Sequence, residues 1–146
     1  MNAIVLCGIQ ASGKTSFYRE HFFHTHIRLS LDQLGTRNKE NIILHACLAA
    51  QQPFVIDNTN LLATARMRYA HLAKESGFRT TLYFFETPTR DAIARNAKRG
   101  KDEQVPKLAI LGSQKKLQPP TADEGFDDAF RVRLTADGFA IEPFTA

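Results

Sequence analysis

The chain alternates between short apolar runs and longer segments in which apolar residues recur at helical spacing. The first run, Ala3–Leu6, is apolar at every position, as expected of a parallel strand that is buried on both faces. Similar runs predict four further strands, at Ile27–Leu29, Phe54–Ile56, Thr80–Phe85 and Phe130–Leu134. The last of these strands is expected to end the sheet.

Helical patterns fill most of the segments between these runs. They predict helices over Lys14–Phe23, Asn41–Ala50, Leu61–Ser76, Pro88–Gly100 and Lys107–Lys116. The segment that follows Leu29 is predicted to be a polar loop. Strands that alternate with helices predict an α/β fold, in which a mainly parallel central sheet lies between two layers of helices. Ligands of such sheets bind beyond the carboxyl ends of the strands.

The composition is that of an ordinary globular domain. The chain has 146 residues, of which 43 % are hydrophobic and 23 % are charged. This length and composition predict a single domain over residues 1–146 and exclude an intrinsically disordered chain. The net charge of +4 suits an anionic ligand such as a nucleotide, but it is too small to indicate nucleic-acid binding by itself.

Two features of the sequence bear on cellular location. No apolar run approaches the roughly 18 residues of a membrane span, and no basic leader precedes the run Ala3–Cys7. Cys7 and Cys47 lie in apolar stretches and are too few for a disulfide framework. The sequence therefore predicts a cytoplasmic protein with no membrane association.

The segment Gly8–Thr15 matches the phosphate-binding pattern G-x-x-x-x-G-K-S/T, and it lies between a predicted strand and a predicted helix. Its glycines let the backbone curl so that successive N–H groups converge on a phosphate, while Lys14 reaches the terminal phosphates and Thr15 is expected to ligate Mg²⁺. The alternative is a simple glycine turn with an exposed lysine. The predicted ATP contacts are Gly8, Gln10, Ala11, Ser12, Gly13, Lys14, Thr15 and Ser16.

Asp32 follows the second predicted strand and is expected to face the phosphate loop across the sheet edge. Phosphoryl transfer to an alcohol needs a carboxylate that accepts the proton of the attacking hydroxyl, and Asp32 fits that role. Arg37 could then hold an anionic group of the acceptor. An aspartate in a polar loop is also a common turn or helix-cap residue, so both interpretations stay open here.

A carboxylate also follows the buried strand Phe54–Ile56. Asp57 is placed to hold Mg²⁺ opposite Thr15, as a carboxylate at the end of a buried strand does in nucleotide-hydrolysing enzymes. Asn58 and Asn60 would offer polar groups to the substrate at the same edge, so Asp57 and both asparagines are candidate substrate contacts. The alternative is that these polar residues cap the helix that follows.

A basic segment, residues 90–107, is the candidate lid. Arg95 and Arg99 are four residues apart and project from one helix face, and Gly100 offers a hinge. A lid of this kind could close over ATP, exclude water and neutralise charge on the transferred phosphoryl group, which makes both arginines candidate catalytic residues. Without the phosphate loop, a solvated basic helix would be the preferred interpretation.

Five segments together resemble the kinase domain of polynucleotide 5′-hydroxyl kinases, within the AAA_33 and zeta-toxin-like group of P-loop kinases. The resemblance covers residues 3–134 and consists of Gly8–Thr15, Asp32–Gly35, Val55–Asn60, Arg95–Arg99 and Pro119–Asp127. It implies a three-layer P-loop fold with a helical lid and transfer of the γ-phosphoryl group of ATP to the 5′-hydroxyl of DNA or RNA. It further implies that Asp32 is the general base, that Arg37 contacts an acceptor phosphate and that Arg95 or Arg99 contacts ATP.

The acceptor is open at this point, because the same group includes kinases of small metabolites and of nucleotide sugars. The chain has no D-x-D-x-T phosphatase motif. We expect an ATP- and Mg²⁺-dependent kinase of a polynucleotide 5′-hydroxyl, with a small-molecule kinase as the second interpretation. A regulatory module that hydrolyses ATP is the third. No obligate protein partner is expected.

Overall fold

The computed structural model describes residues 1–144, so the last two residues of the predicted domain, 145 and 146, lie outside the described residues. The strands are β1 (Asn2–Cys7), β2 (Ile27–Leu29), β3 (Phe54–Asp57), β4 (Arg79–Phe85), β5 (Asp128–Thr135) and β6 (Gly138–Pro143). They form a six-stranded sheet in the order β2-β3-β1-β4-β5-β6. The pairings among β1 to β5 are parallel and β6 is antiparallel to β5, so the predicted mainly parallel sheet is confirmed.

The helices lie between the strands, in the predicted alternation. They are α1 (Lys14–His21), α2 (Leu31–Leu34), α3 (Arg37–Ala50), α4 (Ala63–Glu75), α5 (Thr89–Ala97) and α6 (Lys107–Lys116). Helix α6 has the predicted bounds, and α4 and α5 are each shorter at both ends than predicted. None of the helices within residues 1–144 is both long enough and apolar enough to cross a membrane.

Helix bounds near the site differ from the predictions for local reasons. Helix α1 ends at His21, two residues early, because the chain turns back there towards β2. Helix α3 begins at Arg37 and not at Asn41, because the Thr36 hydroxyl caps it by accepting from the Lys39 N–H. The predicted polar loop after β2 contains α2, which Ser30 caps in the same way.

The prediction that the sheet ends near Leu134 is wrong, since β6 follows β5 after a short turn. Four of the six residues of β6 are exposed, although its sequence contains the short apolar run Phe139–Ile141. The partly buried Phe139 packs its ring against Phe17 of α1 and Phe85 of β4.

Each face of the sheet is covered by helices, because successive side chains of β1 point to opposite faces and are all buried or partly buried. Ile4 and Leu6 point to the α1 face and pack in one apolar cluster with Phe17. Val5 and Cys7 point to the other face, in a second cluster with apolar residues of α3 and α4. Because β1 to β4 run in parallel, the segments after β1, β2, β3 and β4 meet at one edge, and that edge holds the candidate site.

Candidate active site

The loop after β1 is curled by residues with left-handed backbone. Ala11 has φ of 60° and Gly13 has φ of 99°, an alternation that turns backbone N–H groups towards a common centre. Gly8 is needed for a different reason, since a Cβ there would lie 2.9 Å from the Cβ of Phe85 and 3.1 Å from its carbonyl oxygen. The curl and the tight approach give this loop the form of an anion-binding cradle at the N-terminus of α1.

Lys14 lies inside this cradle with only 8 % of its surface exposed. Its Nζ donates to the carbonyl oxygens of Gly8 (2.9 Å) and Ile9 (2.8 Å). Burial is the largest influence on its ammonium group and, together with the positive charge of Arg99, lowers its pKa to about 8, while the negative charges of Asp57 and Asp32 act in the opposite direction. The lysine is thus a desolvated cation that an anionic ligand would stabilise.

Thr15 and Asp57, the two residues predicted to hold the metal, are in direct contact. The Thr15 hydroxyl donates to Asp57 Oδ2 at 3.0 Å. Arg28, on β2, completes the group, because its Nε donates to the same oxygen at 2.7 Å and its Nη2 donates to Thr15 Oγ1 at 3.3 Å. A hydroxyl and a carboxylate are oxygen ligands of the kind Mg²⁺ prefers. The oxygen donors of Thr15 and Asp57 therefore fit a magnesium ion, although Arg28 already pairs with Asp57.

The described part of the chain contains no cluster of side chains that resembles a site for another metal ion. Within residues 1–144, no three His, Cys, Asp or Glu side chains gather as a metal site would require. The Thr15–Asp57 pair supplies two oxygens, so most ligands of a Mg²⁺ ion there would come from phosphate and water.

The two asparagines after β3 hold the backbone of the site. Asn60 donates from Nδ2 to the carbonyl oxygen of Leu6 (2.6 Å), which ties the end of β3 to the end of β1. Asn58 accepts from the N–H of Leu31 (2.9 Å) and donates to Glu40 (2.8 Å). Both amides are therefore engaged within the protein, and their contact with a substrate stays a prediction.

Asp32, the candidate base, lies on α2 with its side chain exposed to solvent. Its negative charge raises the pKa of Lys14, so Asp32 lies within electrostatic range of the cradle. Arg37 is the first residue of α3, and its guanidinium contacts Glu40 (3.3 Å) and the Tyr69 hydroxyl (3.1 Å) while 66 % of its side chain stays exposed. Both predicted acceptor-side residues are thus open to a ligand from solvent.

Arg95 lies directly against the phosphate loop. Its Nη2 is 3.4 Å from the point where a Cβ of Gly13 would lie, and its Nη1 is buried with no hydrogen-bond partner among residues 1–144. Burial and the charge of Arg99 lower the pKa of this guanidinium. A partly buried arginine beside Gly13, on the same loop as the buried Lys14, makes this end of the loop attractive to anions.

The segment that carries these arginines is packed onto the loop. Ala92 of α5 and Ile110 of α6 form an apolar cluster with Ile9 and Ala11 of the loop itself. The turn between the helices is held by Asn96, whose side chain accepts from the N–H of Val105 (3.0 Å) and donates to its carbonyl oxygen (2.7 Å). The segment therefore packs against the phosphate loop, and its role as a lid stays a prediction.

Two adjoining cavities open beside the lid. The larger, about 800 Å³, lies between α5 and the end of β5 and is lined by Arg95, Leu134 and Thr135 among others. The smaller, about 460 Å³, is mostly apolar and is lined by Ile9, Pro119 and Pro120 among others. A nucleoside attached to a phosphate in the cradle has room on this side of the site.

Sequence analysis missed Arg66, which is 0 % exposed. Its guanidinium forms two hydrogen bonds with Glu124 (2.7 and 2.8 Å) and a third, from Nη1, with the carbonyl oxygen of Asn60 (2.8 Å). This ion pair ties the Pro119–Asp127 segment to the loop after β3. Arg28 was missed as well. The importance of both arginines comes from their ion pairs with carboxylates that are distant in sequence, which no local sequence pattern reveals.

Comparison with known proteins agrees with this geometry. The profile of a family described as an AAA domain, AAA_33, matches residues 4–120. A bifunctional polynucleotide phosphatase/kinase of Schizosaccharomyces pombe is 25 % identical over 135 residues, 88 % of this chain and 33 % of the relative. A putative bifunctional polynucleotide phosphatase/kinase of Acanthamoeba polyphaga mimivirus is 29 % identical over 141 residues, 92 % of this chain and 34 % of the relative. The chain thus spans about a third of the length of these relatives.

Solved structures share the fold at low sequence identity. Kti12 of Chaetomium thermophilum, crystallised with ADP-AlF3, superposes with a TM-score of 0.67 at 17 % identity, over 90 % of this chain and 88 % of that one. A gluconokinase from Sinorhizobium meliloti 1021 gives 0.61 at 16 % identity, over 89 % and 82 %. The predicted three-layer, kinase-type P-loop fold is confirmed.

Proposed function

The chain belongs to the AAA_33 family of AAA domains, and on that premise we propose that it is a kinase that transfers the γ-phosphoryl group of ATP to a hydroxyl, with the 5′-hydroxyl of a polynucleotide as the first candidate. The observation that carries the proposal is the pair of cations beside the cradle. Lys14 is buried and Arg95 is partly buried next to Gly13, with its Nη1 shielded and unpartnered within residues 1–144, and a polyanion is the ligand that compensates such charges.

Each group has a defined task in this reaction. The loop N–H groups and Lys14 bind the phosphates, and Thr15 and Asp57 would hold Mg²⁺, which when bound neutralises charge on the phosphate oxygens. Asp32 accepts the proton of the attacking hydroxyl. Arg95, on the lid, stabilises the charge of the transition state, with Arg99 as a second cation.

Two features of the site favour transfer to an alcohol over hydrolysis: the packing of the lid on the phosphate loop and the exposure of Asp32. The lid packs on the loop through Ile9 and Ala11, which excludes water from the phosphates. Asp32 is exposed, so an acceptor can reach it from solvent. A hydrolase would need an ordered water in this place.

The preference for a polynucleotide rests on the names of the two curated relatives, which this chain matches over about a third of their length. The exposed guanidinium of Arg37 would suit a backbone phosphate of such an acceptor. A small-molecule kinase is the second candidate, because Leu31 and Leu34 beside Asp32 are apolar, which also suits an uncharged alcohol.

The test is an acceptor screen with γ-labelled ATP. DNA and RNA oligonucleotides with a free 5′-hydroxyl are compared with the same oligonucleotides carrying a 5′-phosphate, and with sugars and nucleosides. We expect label only on the 5′-hydroxyl oligonucleotides, with a rate that falls steeply as salt rises. Label on sugars or nucleosides alone would move the proposal to the second candidate. Release of labelled phosphate that no acceptor alters would exclude a kinase.

A further inference from the structure

The side-chain amide of Asn58 joins two elements on the acceptor side of the site. Its Oδ1 accepts from the backbone N–H of Leu31, and its Nδ2 donates to Glu40 Oε2. A carboxylate only accepts hydrogen bonds, whereas an amide has one accepting and one donating end. Glu40 therefore determines that the oxygen of Asn58, and not its nitrogen, faces Leu31.

Glu40 is an unusual residue in this position, because it is a carboxylate with 1 % exposure. Its Oε1 accepts from the Tyr69 hydroxyl and from Arg37, whose side chain is mostly exposed. Burying a carboxylate is unfavourable unless its partners compensate, and a solvent-exposed glutamate would serve the first turn of α3 equally well. The burial of Glu40 thus calls for an explanation other than helix stability.

The element held by Asn58 is α2, which carries the candidate base. A helix of four residues, Leu31–Leu34, is too short to be stable by itself. Two side chains fix its first turn, since Ser30 accepts from the N–H of Asp32 (3.2 Å) and Asn58 accepts from the N–H of Leu31. Asn58 directly follows Asp57, so the base and the metal side of the site are attached to one short segment of chain.

We propose that Glu40 and Asn58 are positioning residues for phosphoryl transfer: Glu40 orients the amide of Asn58, and Asn58 holds Leu31, and with it Asp32, at a fixed distance from Asp57. This inference rests on the proposed function, because it takes Asp32 as the base. Neither residue touches the reacting atoms. A displacement of about 1 Å at a catalytic group can cost about 100-fold in rate.

The hydrogen bond between the pair can be reversed, which gives a direct test. In Asn58→Asp two carboxylates would face each other. In Glu40→Gln two amide NH₂ groups would do so, once the oxygen of the introduced glutamine accepts from Tyr69. In the double variant, the introduced amide can donate to the introduced carboxylate, which still accepts from the Leu31 N–H. Asn41→Asp is the matched control, because Asn41 lies on α3 and its Oδ1 accepts from the exposed Arg68 (2.6 Å).

Three quantities are measured for each variant: kcat with the acceptor found in the screen, ATP affinity, and hydrogen exchange at the amides of residues 31–34. We expect each single variant to lose about 10- to 100-fold in kcat with ATP affinity unchanged, and to exchange faster in α2. The double variant should regain kcat to within about threefold and regain the slow exchange. The Asn41→Asp control should behave as the wild type.

Several outcomes would overturn the inference. One is a single variant with unchanged kcat, and another is a double variant that regains thermal stability and slow exchange but not kcat, which would mark a purely structural pair. If both single variants fail to fold, a folded double variant with full activity supports the inference and a folded inactive one refutes it. Failure of the proposed function looks different, because the wild type itself would then label no acceptor while the exchange pattern still reports on the pair.

Discussion

The two sides of the site are built in opposite ways. The phosphate side, Gly8–Thr15, is largely buried and is shaped by its backbone, with left-handed residues and an N-terminal helix turn. The acceptor side, Leu31–Arg37, is largely exposed and is held in place by side chains from other elements. A backbone cradle recognises phosphate irrespective of what else the ligand carries. Substitutions on the acceptor side can therefore change the acceptor while leaving ATP binding intact.

The sharpest test of this contrast is Asp32→Asn. The amide cannot accept the proton of the hydroxyl, so we expect kcat for phosphoryl transfer to fall by about 10³-fold or more. ATP affinity, measured by calorimetric titration, should change by less than about twofold because no backbone group of the cradle is altered. Unchanged turnover would refute Asp32 as the base and would favour the regulatory module that hydrolyses ATP.

The same contrast explains what the sequence could predict. The cradle is contiguous, so spacing alone identified Gly8, Gly13, Lys14 and Thr15 and the helix they precede. The pairing of Thr15 with Asp57 was predictable as well, because parallel strands end at one edge.

The acceptor side was predicted only in part, for a physical reason. Asp32 and Arg37 follow a strand and could be named, but the groups that hold them come from elsewhere. Glu40 contacts Asn58, on the loop after β3, and Tyr69, on α4. No local pattern marks a buried glutamate in the first turn of a helix, since the same residue there is ordinarily exposed. Strand β6 was missed as well; it pairs with β5 at the edge of the sheet, and Phe139 is partly buried while Ile141 is exposed.

A second prediction separates the two lid arginines. Arg95 lies against Gly13 with a buried, unpartnered Nη1 in the described structure, whereas Arg99 donates to the carbonyl oxygen of Glu103 (3.4 Å). We expect Arg95→Ala to lower kcat about 100-fold or more at saturating ATP and Arg99→Ala to lower it about tenfold. A larger loss for Arg99→Ala would reverse the assignment. Thermal unfolding of both variants serves as the control for folding.

The smallest expected effect concerns the pH dependence of the phosphate side. Burial lowers the pKa of Lys14 to about 8 from an ordinary value of 10.5, so the free protein loses this charge as pH rises above about 8. Phosphate binds the charged form, and ATP affinity should therefore fall by about tenfold between pH 7 and pH 9. Isothermal titration calorimetry with a non-hydrolysable ATP analogue measures this fall in affinity. Lys14→Arg is the matched control, because arginine keeps its charge throughout this pH range.

Unfolding cannot account for such a loss, because the linkage has the opposite sign. The folded protein binds fewer protons at Lys14 than the unfolded chain between pH 8 and 10.5, so this residue makes the free energy of unfolding rise with pH over that window. A Lys14→Arg variant that binds more weakly but without the pH dependence would assign the effect to Lys14. An equal fall in affinity in that variant would place the titrating group elsewhere.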